Sequence, residues 1–172
     1  EIFNSNALNF KSKVFGGDCN FHCAGRYFVD GFWHMPYQDI LSIEEVISYC
    51  KQHDIKAIIP TRDGELSFFA KHKDNLSRQG IACLVSTPQA VDFCLNKLLF
   101  YQFLTLNHLP AIPTSKAIDT IHSSSYVVKE CFGAGSRSLG KDLTYPMAKQ
   151  WSEKLKHPIY QPYIRGIEYS VD

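Results

Sequence analysis

Between Tyr126 and Gly140 the chain reads YVVKECFGAGSRSLG, a short apolar strand that carries one lysine and empties into a glycine-rich loop. Few folds accept that order. Val127 and Val128 favour extended backbone, while Gly133, Gly135 and Gly140 let backbone N–H groups approach an anion with no Cβ in the way. Ser136, Ser138 and Arg137 bring further donors into the same loop. On this segment alone two readings stand evenly: a cradle for phosphate oxygens beside Lys129, or a plain hairpin whose glycines only make the turn.

The same loop also fits the G-x-x-x-x-G-K frame of a P-loop, from Gly135 to Lys141. The next residue is Asp142, where that motif needs a hydroxyl to meet magnesium, and a carboxylate there would repel the phosphate. A P-loop lysine also follows its loop at a helix start, whereas Lys129 precedes this one. The P-loop reading is rejected.

Upstream, alternating elements predict a parallel α/β layer. Ser42-Ile-Glu-Glu45 is a capping box, and Ile43, Val46, Ile47 and Cys50 recur at helical spacing, so a helix is expected from Ser42 to about His53. Lys56 to Pro60 reads as a strand, a second helix begins near Glu65 with Leu66, Phe69 and Ala70 inward, and Ile81 to Val85 is the next strand. Thr87-Pro88 caps a further helix, and the apolar run Leu95 to Leu106 is helical. This order calls for a Rossmann-like sheet with right-handed crossovers. Residues just after a strand of such a sheet face its ligand-binding edge, which makes Asp63 and Glu65 candidates for substrate binding. Equally, Asp63-Gly64 turns the chain and Glu65 suits a helix start by its charge.

From Pro113 a connector containing Ser123-Ser124-Ser125 leads into the strand of Lys129. After the loop, a helix from about Tyr145 to Leu155 and strands near 159–163 and 168–171 complete half of a clamp.

Composition narrows the function classes. The 172 residues allow one large or two small domains, 45% apolar content supports a core, and a net charge of +1 gives no cue for nucleic acid or membrane. With no apolar run of spanning length and no signal peptide at the start, a cytoplasmic location is expected. Cys19, Cys23, Cys50, Cys83, Cys94 and Cys131 contain no C-x-x-C pair and read as reduced thiols. Only Cys19, His22 and Cys23 could begin a metal site, and without a second half a structural role is favoured. No metal ligand is assigned.

Four pieces in order then carry a resemblance: the IIPTRDGEL stretch at 58–66, Asn96-Lys97 with the helical LLFYQFL and PAIPT at 110–114, the lysine strand with its glycine loop, and Gln161-Pro-Tyr-Ile-Arg-Gly-Ile-Glu168. Together they resemble the ATP-grasp superfamily, in the branch of the carbamoyl-phosphate synthase large subunit and the carboxylate–amine ligases. The resemblance implies an α/β fold in which a Rossmann-like pre-ATP-grasp domain, residues 1–95 without its first strand, is followed by a connecting helix and linker, 96–115. The nucleotide-binding lobe of an incomplete ATP-grasp domain occupies 116–172.

It also implies roles. Lys97 and Lys129 match the lysines that reach the phosphates of ATP, and Gly133 to Gly140, with Gly135, Ser136 and Ser138 among them, match the flexible lid over them. Arg137 would supply the catalytic cationic contact. Gln161 with the backbone of Tyr163 and Ile164 matches the adenine hinge, and Glu168, seven residues past Gln161, the ribose carboxylate. Four positions depart from the family pattern: Asn96 stands where Asp is usual, Gln161 where Glu is common, and Glu130-Cys131 where Pro-Arg is frequent. Ligands for Mg2+ are expected beyond residue 172, so the chain reads as an internal piece of a longer protein and is expected to be inactive alone. The implied enzyme activates a carboxylate as an acylphosphate for attack by an amine, with small-molecule partners and a homodimer left open. The alternative is a non-catalytic nucleotide-binding module of regulatory or scaffold type.

Overall fold

The computed structural model describes residues 12–133, 135 and 138–167. The chain forms two compact units: Glu1–Pro60 with His72–Leu84, and Thr61–Lys71 with Val85–Asp172.

In the first unit, β1 (Phe15–Asp18) pairs in parallel with β2 (Gly31–His34), and β3 (Ala57–Ile58) with β4 (Ala82–Cys83). Among the described residues the expected single parallel sheet is thus two separate two-stranded ones. Both strands of the first pair went unread in the sequence, because glycine and aromatic residues obscure their alternation and their crossover carries a 3-10 turn in place of an α-helix. Helix α1 (Ile43–Gln52) starts where the capping box requires. Ser42 Oγ accepts from the Glu45 amide at 3.2 Å, and the Glu45 carboxylate accepts from the Ser42 amide at 2.9 Å. Its apolar stripe buries Ile43, Val46 and Cys50. Tyr49, on the same helix, stacks on Trp33 of β2 with ring centroids 4.4 Å apart. Helix α2 (Asp63–Arg78) runs from one unit into the other, and its Leu76 is fully buried.

The second unit opens with α3 (Pro88–Leu95), whose cap is Thr87 Oγ1 accepting from the Ala90 amide. The further helix expected over Leu95 to Leu106 forms, starting at Lys97. Asn96 adopts extended backbone, ends α3 and caps α4 (Lys97–Leu106), its Oδ1 accepting from the Leu98 and Leu99 amides at 3.1 Å each. An Asn offers this local acceptor and so breaks a run that apolar content alone would join.

A three-stranded antiparallel sheet follows, in the order β6 (Gly140–Leu143), β5 (Tyr126–Glu130), β7 (Pro158–Pro162), with α5 (Tyr145–Ser152) packed on it. The helix stops three residues short of the expected Leu155. Alternation along β5 sends Tyr126 and Val128 into a core with Ile118, Ile121, Leu143, Ala148 and Tyr160. Val127 and Lys129 therefore take the opposite face. The expected strand at 168–171 lies outside the described residues.

Candidate nucleotide site

That opposite face of the antiparallel sheet forms the floor of a cleft of about 890 Å3. The register Val127↔Gln161 brings Gln161 beside the strand of Lys129. Directly across from Lys129 stands Ile159, fully buried. Desolvation by such surroundings lowers the Lys129 pKa, and the charge of Lys97 lowers it further. No described residue accepts a hydrogen bond from its ammonium.

Lys97 enters the cleft from the first turn of α4. Its backbone amide donates to Cys131 O at 3.0 Å, and its Nζ donates to Gly133 O at 2.7 Å and Cys131 O at 3.5 Å. The Cys131 thiol donates to Asn96 Oδ1 at 3.0 Å. Two of the positions noted as departures in the sequence thus meet in a neutral thiol–amide hydrogen bond.

Gly133 and Gly135 adopt φ of +96° and +74°, the left-handed region that side chains rarely accept, so the strand-to-loop corner requires glycine. Gly140 is needed for another reason. A Cβ there would lie 2.6 Å from Leu143 Cδ1 and 3.1 Å from the Trp151 ring. It is packed into the sheet's core side, whereas the sequence reading placed it in the lid.

Glu130 also lines the cleft, but its carboxylate is engaged, accepting from the Lys156 amide at 2.7 Å and the His157 amide at 2.9 Å. Desolvation raises its pKa, yet these two amides, with the charges of His157 and Lys156, outweigh it and leave the group below its ordinary value. The remaining charges on the cleft wall are Lys97, Lys129 and Lys141, so the wall is cationic.

Of the residues singled out in the sequence, Lys97, Lys129, Gly133, Gly135, Ser138, Gln161, Tyr163 and Ile164 all line this cleft. Ser136, Arg137 and Glu168 lie outside the described residues. Asp63 and Glu65 occupy the first turn of α2, Asp63 exposed, and are not among the lining residues. Among the described residues no three His, Cys, Asp or Glu side chains are grouped to hold a metal ion, and no helix is long and apolar enough to cross a membrane. Sequence reasoning missed Lys141, set aside with the P-loop frame, and Thr114, quoted only as part of a junction. The period-2 alternation of β5 was the signal that could have found Val127 on the cleft face.

A strand lysine, a glycine corner, a second lysine from a helix start and Gln161 thus surround one cleft of a size that suits a small-molecule ligand. Residues 1–84 match the family model described as PylC-like, N-terminal domain, and residues 94–172 the model described as ATP-grasp domain. The chain belongs to the ATP-grasp superfamily, with an N-terminal domain ahead of part of an ATP-grasp domain. No curated protein matches it.

Solved structures agree on the fold. Biotin carboxylase from Campylobacter jejuni, in complex with β-γ-ATP, has a TM-score of 0.61 at 14% identity over 90% of this chain and 40% of its own. N5-carboxyaminoimidazole synthetase from Staphylococcus aureus, complexed with ADP, has a TM-score of 0.59 at 17% identity over 88% and 40%. The biotin carboxylase domain dimer of Hydrogenobacter thermophilus 2-oxoglutarate carboxylase, with MgADP, ADP and bicarbonate, has a TM-score of 0.59 at 14% identity over 87% and 38%. The chain spans about two fifths of the length of these three.

Proposed function

We propose that this chain is the ATP-binding part of an ATP-dependent carboxylate–amine ligase of the carbamoyl-phosphate synthase-like branch. The observation that carries this reading is the convergence of Lys97, Lys129 and Lys141 with the glycine corner and Gln161 on one cleft. Its volume lies within the range that encloses small-molecule ligands. Three cations offset much of a triphosphate's charge, and the glycine corner lets loop amides meet phosphate oxygens without a side chain between.

In the proposed reaction a carboxylate oxygen of the substrate attacks the γ-phosphorus, ADP leaves, and the acylphosphate formed is attacked at its carbonyl by an amine that displaces phosphate. The chain's part is to position and to neutralise charge. Lys97 and Lys129 hold the phosphates, Ser136 and Ser138 add donors from the lid, and Arg137 meets the charge that develops on transfer. Gln161 and the backbone of Tyr163 and Ile164 read the adenine edge, and Glu168 accepts from the ribose. Asp63 and Glu65 are proposed for the carboxylate substrate. Mg2+, when bound, would supply positive charge that offsets the charge of the phosphates.

The domain division proposed is 1–95, 96–115 and 116–172. A homodimer in the cytoplasm is the proposed state, in keeping with the domain dimer formed by the Hydrogenobacter relative.

Thermal unfolding of the full-length protein tests the nucleotide. ATP and ADP should raise the midpoint and GTP much less, since only a ligand favouring the native state stabilises it. Equal shifts from ATP and GTP would remove the hinge assignment. Phosphate release dependent on a carboxylate and an amine separates the ligase from a non-catalytic nucleotide-binding module.

A further inference from the structure

Among the described residues Thr114 is the single buried polar side chain, 5% exposed, and the phosphate chemistry does not use it. Its place is fixed by backbone. Ser115 and Tyr160 exchange both hydrogen bonds, at 3.0 and 2.8 Å, in an isolated antiparallel bridge. The next pair outward, Thr114 and Gln161, is therefore a close, non-hydrogen-bonded pair whose side chains meet. Thr114 Oγ1 lies 2.9 Å from Ile112 O and 2.8 Å from Gln161 Nε2.

The direction of this relay is forced. A carbonyl oxygen can only accept, so the single hydroxyl proton of Thr114 must point at Ile112 O. The oxygen of Thr114 then has lone pairs alone to offer Gln161. Only the NH2 end of the Gln161 amide can meet them. Turned over, the amide would bring a third oxygen to a contact that holds one proton. The chemistry of the neighbours thus assigns the two ends of the amide. Gln161 lines the cleft, and its Oε1 has no partner among the described residues.

We infer that Thr114 is a specificity-determining residue: by holding Nε2 it fixes Gln161 with its oxygen as the free acceptor, and so selects a nucleobase that presents an amino donor at that edge. This deepens the proposed nucleotide reading and rests on it. A 6-amino purine gives Oε1 a hydrogen, whereas a 6-oxo purine sets oxygen against oxygen. Neither can Gln161 turn over to suit the 6-oxo base, because Thr114 would lose its donor. An acid at position 161 would give the same acceptor without needing Thr114, which makes the threonine a consequence of having Gln there.

ATP and ITP differ only at this edge, so their ratio of dissociation constants on the full-length protein is the readout. The parent should prefer ATP. Thr114→Val, which keeps the shape and removes the relay, should reduce the preference roughly three- to tenfold, the worth of one neutral hydrogen bond, chiefly through tighter ITP. Thr114→Ser should restore it. An unchanged ratio in Thr114→Val, with ATP still bound, overturns the inference and leaves the nucleotide reading standing. A parent that binds neither nucleotide overturns that reading, and the inference with it. Thr114→Ala gives the same comparison should the valine variant not fold. In the parent itself, nuclear Overhauser contacts between the Gln161 amide protons and Thr114 are expected, and amide protons facing away from Thr114 would overturn the assignment.

Discussion

At the scale of single residues, Lys129 shows how a charged group facing a cleft is held at a cost to the fold. Desolvation, with the Lys97 charge second, lowers its pKa from an ordinary 10.5. A lysine whose folded pKa lies below its unfolded value loses its proton first in the native state. The unfolded chain then binds more protons in that window, and native stability rises with pH through it. The protonated Lys129 of the ligand-free protein is a desolvated charge, which disfavours the native state. Lys129→Met should therefore raise the unfolding midpoint at neutral pH, and the gain should narrow as pH climbs towards 10.5. The same variant should bind ATP more weakly by roughly 1.5–3 kcal/mol, the worth of a charge-assisted contact. Titration calorimetry of the full-length protein checks this, and an undiminished affinity would take Lys129 off the phosphates. Asn96 and Cys131 teach a related lesson. Each was legible as a departure from a family pattern, but that the two departures touch is a fact of tertiary structure.

At the scale of elements, the sheet of the second unit is pinned at two points that no periodicity reveals. Glu130 ties β5 to the turn before β7 through the Lys156 and His157 amides. Its folded pKa is lowered, so the stability it contributes is present above the ordinary 4.5 and lost as pH falls through the folded value. Glu130→Gln should flatten the acid limb of the stability–pH curve while leaving ATP affinity at neutral pH largely unchanged. An acid limb identical to the parent's would show that the contact contributes nothing. Gly140 is the second point. Gly140→Ala places a Cβ against the buried Leu143 and Trp151, and overpacking of this kind costs about 1–3 kcal/mol. Denaturant midpoints should move accordingly, and a neutral substitution would mean that the β6 start shifts to make room. In the first unit, Ser42→Ala removes one half of a capping box and should cost roughly 0.5–2 kcal/mol by the same measurement.

At the scale of the whole molecule, every lining residue of the cleft belongs to the second compact unit. ADP should thus slow amide hydrogen exchange in β5, β6 and β7 more than in α1 and its neighbouring strands, and equal protection of both units would contradict a site confined to the second. Local sequence determined the elements whose signals are carried within a few residues: the Ser42 cap, the Thr87-Pro88 start, the glycine corner and the apolar alternation of β5. It also singled out Lys97, Lys129, Gly133 and Gln161, residues that the fold brings to one cleft. Tertiary structure alone decided which distant groups are partners. That Asn96 ends one helix to begin another beside Cys131, that Gly140 packs instead of flexing, that Glu130 is engaged rather than facing phosphate, and that Thr114 stands across from Gln161 all depend on strand register and packing. Such contacts join residues tens of positions apart, and hydrogen-bond direction within them follows from geometry that composition and spacing do not encode.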